Sequence, residues 1–183
     1  SMALSYRTTG TVTLTGDDLS IEEVVRIARR GARVEVSREA LQRVRLARDV
    51  VDRVLERGDL VYGMNTGVGS LSRYRIPFEG LEQFSVRLVT RHTTHQGAEL
   101  GPEVVRAMMV TRANGMAKGG VGVRAELIQA FLDALNAGVH PVVRTGGSVG
   151  QADLAEMAEI GQVLIGRGKA DYGGRRMPGT EAL

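Results

Sequence analysis

Leu127, Ile128, Phe131, Leu132 and Leu135 recur at the three-and-four spacing of a single helix face, and Gly138 stands where such a helix would stop. A stripe of this kind must be buried against other helices, so it constrains the fold more than any other feature of the chain. The same spacing returns in Ile21, Val24, Val25 and Ile27, on a helix predicted to start at Asp17 or Asp18 and run to Arg30. It returns again in Val44, Ala47, Val51, Val54 and Leu55, between an N-cap at Ser37 and a terminator at Gly58. Further helices are expected over about 81–94, 102–118, 124–136 and 153–165, with Pro102 in a first turn where its missing N–H costs nothing. Asp153 and Glu156 have the spacing of a capping box for the last of these. Thr11 to Thr15 alternates polar and apolar residues and Val34-Glu35-Val36 is β-rich, so two short strands are predicted. The class is mainly α with a small β element near the N-terminus.

With 183 residues, of which 43% are apolar, the chain can bury a real core as one domain over 1–183, and at 4% aromatic and no Trp that core is aliphatic. The absence of Cys excludes disulfides and thiolate metal sites. No apolar run approaches the ~20 residues of a membrane span. Ser1-Met2 reads as a tag-cleavage scar, with no signal peptide behind it. A cytoplasmic protein without membrane contact is expected. Net charge is +3, from 24 Lys and Arg against 21 Asp and Glu. Arginines crowd positions 38, 43, 45, 48, 53 and 57, but Glu39, Asp49, Asp52 and Glu56 are interleaved. That pattern is a solvated mixed-sign face and not a nucleic-acid footprint.

Residues 61–79 contain Gly63, Gly67, Gly69 and Pro77 and read as a loop, longer than a compact domain usually keeps without a functional reason. Tyr62 lies at its start. From local residues alone it is a structural phenol in a glycine turn more readily than a catalytic one. His92 and His95 are three apart on a predicted helix and would share a face. A metal pair there would need a third ligand, and no spacing marks one, so no metal site is assigned. His95 reads first as a satisfied polar residue, with a second titrating imidazole as the alternative. His140, before Pro141, reads as structural. Arg112, Asn114 and Lys118 lie on an otherwise apolar helix and read as inter-helix hydrogen-bonding groups, while Met108, Met109 and Met116 read as core.

Five landmarks in order resemble the histidine, phenylalanine and tyrosine ammonia-lyases and aminomutases. Val61-Tyr62-Gly63-Met64-Asn65-Thr66-Gly67-Val68-Gly69 is similar to the family's Tyr-Gly-x-Asn-Thr-Gly-Phe-Gly loop. Arg91-His92 falls at its Ser-His pair, Arg112 to Gly119 resembles its Arg-Ala-Asn-x-x-x-Lys-Gly helix, and Leu135 to Pro141 its Leu-Asn-x-Gly-x-x-Pro turn. Gly147-Ser148-Val149-Gly150-Gln151-Ala152-Asp153-Leu154 is similar to Gly-Ser-Val-Gly-Ala-Ser-Gly-Asp-Leu, whose Ala-Ser-Gly cyclises to an electrophilic methylidene-imidazolone (MIO). Here Gln151-Ala152 replaces that triad, one residue shorter and without the serine or the glycine. Ring closure needs a flexible glycine amide as nucleophile and a serine hydroxyl to lose as water. No MIO is therefore expected, and no other cofactor, with Gly150, Gln151, Ala152 and Asp153 as the degenerate position.

The resemblance implies the N-terminal portion of a helical lyase fold, the family's C-terminal helical region lying beyond the match. It implies Tyr62 as a base and His92 as an acid/base or hydrogen-bonding group, with Asn65, Thr66, Gly67 and His95 near a small-molecule substrate. Val68, where the family has an aromatic, changes the substrate's shape, and Glu156 stands where the family usually has proline. The expected function is an MIO-independent, lyase-like subunit of a split hetero-oligomeric enzyme. It would abstract a proton with elimination, isomerisation or cyclisation, and its partner would resemble the family's C-terminal half. The alternatives are a non-catalytic scaffold or regulatory subunit, and a chain that completes the active site of an MIO-bearing ammonia-lyase partner.

Overall fold

The computed structural model describes residues 10–93, 96–148, 150 and 154–183. Strand β1 (Thr11–Leu14) pairs in parallel with β2 (Arg33–Val36), Val12 opposite Val34, and helix α1 (Ile21–Arg30) makes the crossover. α1 starts later than its sequence pattern predicts. Ser20, not Asp17 or Asp18, is the N-cap: its hydroxyl accepts from Glu23 N at 3.2 Å, and the Glu23 carboxylate accepts from Ser20 N at 2.9 Å. Asp17 and Asp18 are occupied in the preceding turn, by Lys118 at 3.3 Å and by the Thr15 hydroxyl.

Helix α2 (Arg38–Arg57) runs as predicted from a Ser37 cap to Gly58 in the left-handed region. Only Ala40 and Val44 on it are buried, so most of its apolar stripe is half covered. The interleaved charges form the expected solvated face, with Arg48 on Asp52 at 2.5 Å. After a loop with two 3-10 turns come α3 (Leu81–Arg91), α4 (Pro102–Ala117), α5 (Ala125–Ala137) and α6 (Leu154–Leu164).

The core lies where α4 crosses α1 and α5. Ile27, Val105, Met109, Val110, Ile128, Leu132 and Leu135 are all at or below 1% exposure. Each such side chain contributes about 1.5–3 kcal/mol of transfer free energy. Met109 and Met116 are core, as their spacing predicts, and Met108 packs half-buried against it. Arg106 is buried at the centre. Its Nε and Nη2 donate to Ile27 O and its Nη1 to Leu135 O, so one guanidinium satisfies carbonyls of both neighbouring helices. Asn114 and Lys118 tie the β1–α1 turn to α4, through Gly16 N at 3.0 Å and through Asp17. Arg112 is exposed and takes no part in this. Gly16 permits the contact: its φ is 97°, and a Cβ there would lie 2.6 Å from Lys118 N.

The β content is larger than expected. β3 (His140–Pro141), β4 (Lys169–Tyr172) and β5 (Arg175–Pro178) form a second, antiparallel sheet, followed by a short helix α7 (Gly179–Ala182). The Gly173-Gly174 turn between β4 and β5 is the hairpin signal in the sequence. Glu99 joins this sheet to the chain before α4 through Arg176 at 2.8 Å and Arg144 at 3.0 Å. Among the described residues, no helix is long and apolar enough to cross a membrane.

Candidate functional site

Residues 58–76 fold into a compact loop that braces itself with its own polar groups. Asn65 Oδ1 accepts from Val61 N at 2.8 Å, and its Nδ2 donates to Asp59 O at 2.8 Å. Thr66 Oγ1 accepts from Gly63 N and donates to Gly67 O. Ile76 N returns to Asn65 O and Gly67 N to Tyr74 O. A Cβ on Gly67 would overlap the Leu71 carbonyl, so this crossing is open only to glycine. Asn65, Thr66 and Gly67 are thus buried in the framework of the loop, while Tyr62 projects from it at 66% exposure. Its hydroxyl accepts from Gly69 N at 3.0 Å.

Across from this loop, α3 ends one residue before His92. His92 is its C-cap residue, and its Nδ1 lies 2.6 Å from Leu88 O. The expectation that His92 and His95 share a helical face does not carry over, because the helix stops at Arg91 and His95 lies outside the described residues. α6 packs on α3, with Val89 against the open face of Gly161 and Gln162 Nε2 donating to Thr93 Oγ1 at 2.9 Å.

Tyr62 and His92 line one cavity of about 710 Å³, together with Val68, Gly69 and Ser70 from the loop, Leu88 and Val89 from α3, and Leu154, Met157 and Ala158 from α6. That volume lies within the ~300–1,000 Å³ typical of small-molecule sites. Its described walls are aliphatic and carry no Asp, Glu, Lys or Arg. The chemistry available within them is one phenol, one imidazole and one serine hydroxyl, which can move protons and cannot by themselves hold a charged ligand. Among the described residues, no group of three or more His, Asp or Glu side chains could hold a metal.

The segment before the degenerate motif is tethered to α6 by two carboxylates. Glu159 Oε2 accepts from Arg144 N at 2.6 Å and Glu156 Oε1 from Ser148 N at 3.1 Å, both side chains being buried. The expected capping box rests on Asp153, which lies outside the described residues; Glu156 itself accepts from the preceding loop. Gly150 has φ 79°, and its amide donates to Ser148 Oγ at 3.0 Å. Val149, Gln151, Ala152 and Asp153 lie outside the described residues. Sequence reasoning did not single out the carboxylate tether or the α6 wall. The signal for the wall was the i, i+3, i+4 set Leu154, Met157, Ala158.

Residues 19–183 match the family model described as aromatic amino acid lyase. The chain belongs to the aromatic amino acid lyase family. It is 40% identical over 171 residues to histidine ammonia-lyase of Natranaerobius thermophilus, a match covering 93% of this chain and 34% of that protein. The histidine ammonia-lyase of Gloeobacter violaceus is 43% identical over 171 residues, again 93% of this chain and 33% of the relative. In three dimensions the chain superposes on ergothionase of Treponema denticola, an ergothioneine-degrading enzyme, with TM-score 0.92 and 30% identity, covering 94% of this chain and 35% of that one. The chain therefore spans about a third of the length of the relatives it matches and corresponds to their N-terminal part.

Proposed function

We propose that this chain is an MIO-independent, lyase-like subunit that moves a proton to and from a small metabolite and works with a partner resembling the C-terminal part of its family. The observation that carries the reading is the joint position of Tyr62 and His92 on one apolar-walled cavity. The residues at the degenerate motif do not fit the family's prosthetic group. Between Gly150 and Asp153 there is neither a hydroxyl to eliminate nor a glycine amide to close the ring. Without that electrophile a free amino group is a poor leaving group. The substrate should instead carry an acidified C–H bond or a group that departs more readily than ammonia.

Two features support the need for a partner. The described walls supply no counter-charge for an ionic substrate, which suits a partner that provides it. The loop face is also uncovered: Leu60, Tyr62, Leu71, Tyr74 and Phe78 are all at least half exposed among the described residues. The 66% exposure of Tyr62 also suits the alternative in which this loop completes the site of an MIO-bearing partner.

The test is to supply L-histidine, L-phenylalanine and L-tyrosine to the purified chain, and to measure its mass in solution alone and with the product of the neighbouring reading frame. The expected result is no release of urocanate, cinnamate or coumarate, and a larger assembly with the partner. Steady release by the chain alone, abolished by Tyr62→Phe, contradicts the proposal. Release that appears only with a partner carrying its own intact Ala-Ser-Gly favours the completing role.

A further inference from the structure

Resting on the reading of the Tyr62–His92 cavity as a proton-transfer site, we infer that His92 is the base of the pair and Tyr62 the acid, whereas the resemblance casts Tyr62 as the base. The assignment follows from which lone pairs the fold leaves free. A backbone carbonyl can only accept, so the 2.6 Å contact between His92 Nδ1 and Leu88 O requires the ring proton on Nδ1. In the neutral ring Nε2 then carries the lone pair, and the residue lines the cavity. This polarity is set by α3 itself, because Leu88 O is one of the terminal carbonyls that lack an intrahelical N–H partner. The phenol is arranged the other way. Tyr62 Oη already accepts from Gly69 N, which leaves its O–H as the group to give.

Among the described residues that line the cavity there is no Lys or Arg. The loop's arginines are engaged elsewhere: Arg57 on Asp59, Arg75 on Gly58 O, and Arg73 over the Tyr74 ring and on its hydroxyl. Around His92 the charged and titratable groups among the described residues are Tyr62 from the loop, Arg87 and Arg91 on its own helix, and Arg167, which reaches Thr90 Oγ1 at 3.4 Å. α6 brings Leu154, Met157 and Ala158 to the cavity, none of them charged.

In an elimination the substrate C–H bond breaks toward His92 Nε2, and its electron pair becomes the new π bond. The leaving group departs with its own bonding pair and takes the Tyr62 proton. Solvent then removes the proton from the imidazolium and returns one to the phenolate, so the cycle closes without any redox partner.

The test has two arms, neither dependent on the natural substrate. In the first, nitrogen-15 spectra of the labelled chain, assigned with His92→Gln, should show the Nδ1–H tautomer at neutral to mildly alkaline pH. In the second, 5-nitrobenzisoxazole, a neutral bicycle with an acidic C–H and a phenoxide leaving group, is the probe. His92→Gln should lower its ring-opening rate at least tenfold and Tyr62→Phe only a few-fold. An Nε2–H tautomer overturns the inference. So does a rate that collapses in Tyr62→Phe, or a rate unchanged in His92→Gln. Since urocanate or cinnamate release is not read here, failure of this inference is separable from failure of the lyase reading.

Discussion

The block built on α1, α4 and α5 and the face formed by residues 59–93 are stabilised in opposite ways. In the first, apolar side chains disappear between helices, and a single buried arginine closes the polar account. In the second, the buried residues are Asn65, Thr66 and Gly67, and the large apolar side chains point outward: Leu60, Tyr62, Leu71, Tyr74 and Phe78 are all at least half exposed. No residue of α3 is fully buried. One region is complete as it stands. The other is folded by hydrogen bonds into a shape whose apolar surface has no counterpart among the described residues, and it is the region that carries Tyr62 and His92.

This contrast is easiest to break by truncation. Leu132→Ala should cost about 2–5 kcal/mol of stability, since the cavity it leaves lies in a fully packed interior. Phe78→Ala in the same chain should stay within about 0.5 kcal/mol, as for surface substitutions elsewhere. Chemical denaturation of both variants checks the pair, and comparable losses would mean that the loop face is covered in solution.

Next in size is Asn65→Ala. It removes an acceptor and a donor from a buried position and leaves Val61 N and Asp59 O unpaired, at about 1–3 kcal/mol. The loss should be local. Hydrogen exchange should speed up over 58–76, while β1, α4 and α5 keep their protection.

Most of the first region was legible in the sequence and little of the second. The helices around the core announce themselves by apolar spacing and by Ser37, Gly58, Pro102 and Gly138, because burial and capping act locally. The error there was local as well: Asp17 or Asp18 displaces Ser20 as the cap only while Thr15 and Lys118, which engage them, are out of sight. The second sheet was missed because β3 is two residues long and pairs with a strand about thirty positions later, a non-local contact without its own period. The loop's glycines and Tyr62 were visible, but that Asn65 and Thr66 turn inward is a matter of hydrogen bonds closing over a dozen residues. His92 was legible as a residue and not as a tautomer, since its Leu88 contact depends on where α3 ends.

The smallest effect concerns His140, on β3 between the two regions. Burial, with the Arg106 charge behind it, lowers its pKa below the ordinary imidazole value. The unfolded chain therefore binds the proton more readily, and stability falls as pH drops below about 6.5. Asp171, opposite it on β4, is held below the usual carboxylate range by the Arg176 hydrogen bonds, and its contribution is lost in the same direction at lower pH. His140→Gln should flatten the dependence of Tm on pH between about 7 and 5 while leaving its slope in the carboxylate range. An unchanged slope between 7 and 5 would remove His140 from the account.

The claim on which the proposed function depends is that this lyase-family chain works without the electrophile, and intact-protein mass spectrometry before and after borohydride tests it most directly. The account predicts the mass of the unmodified sequence and no hydride adduct, because Gln151-Ala152 offers neither the hydroxyl nor the glycine that ring closure consumes. A mass lower by two waters, with a hydride adduct after reduction, would contradict it.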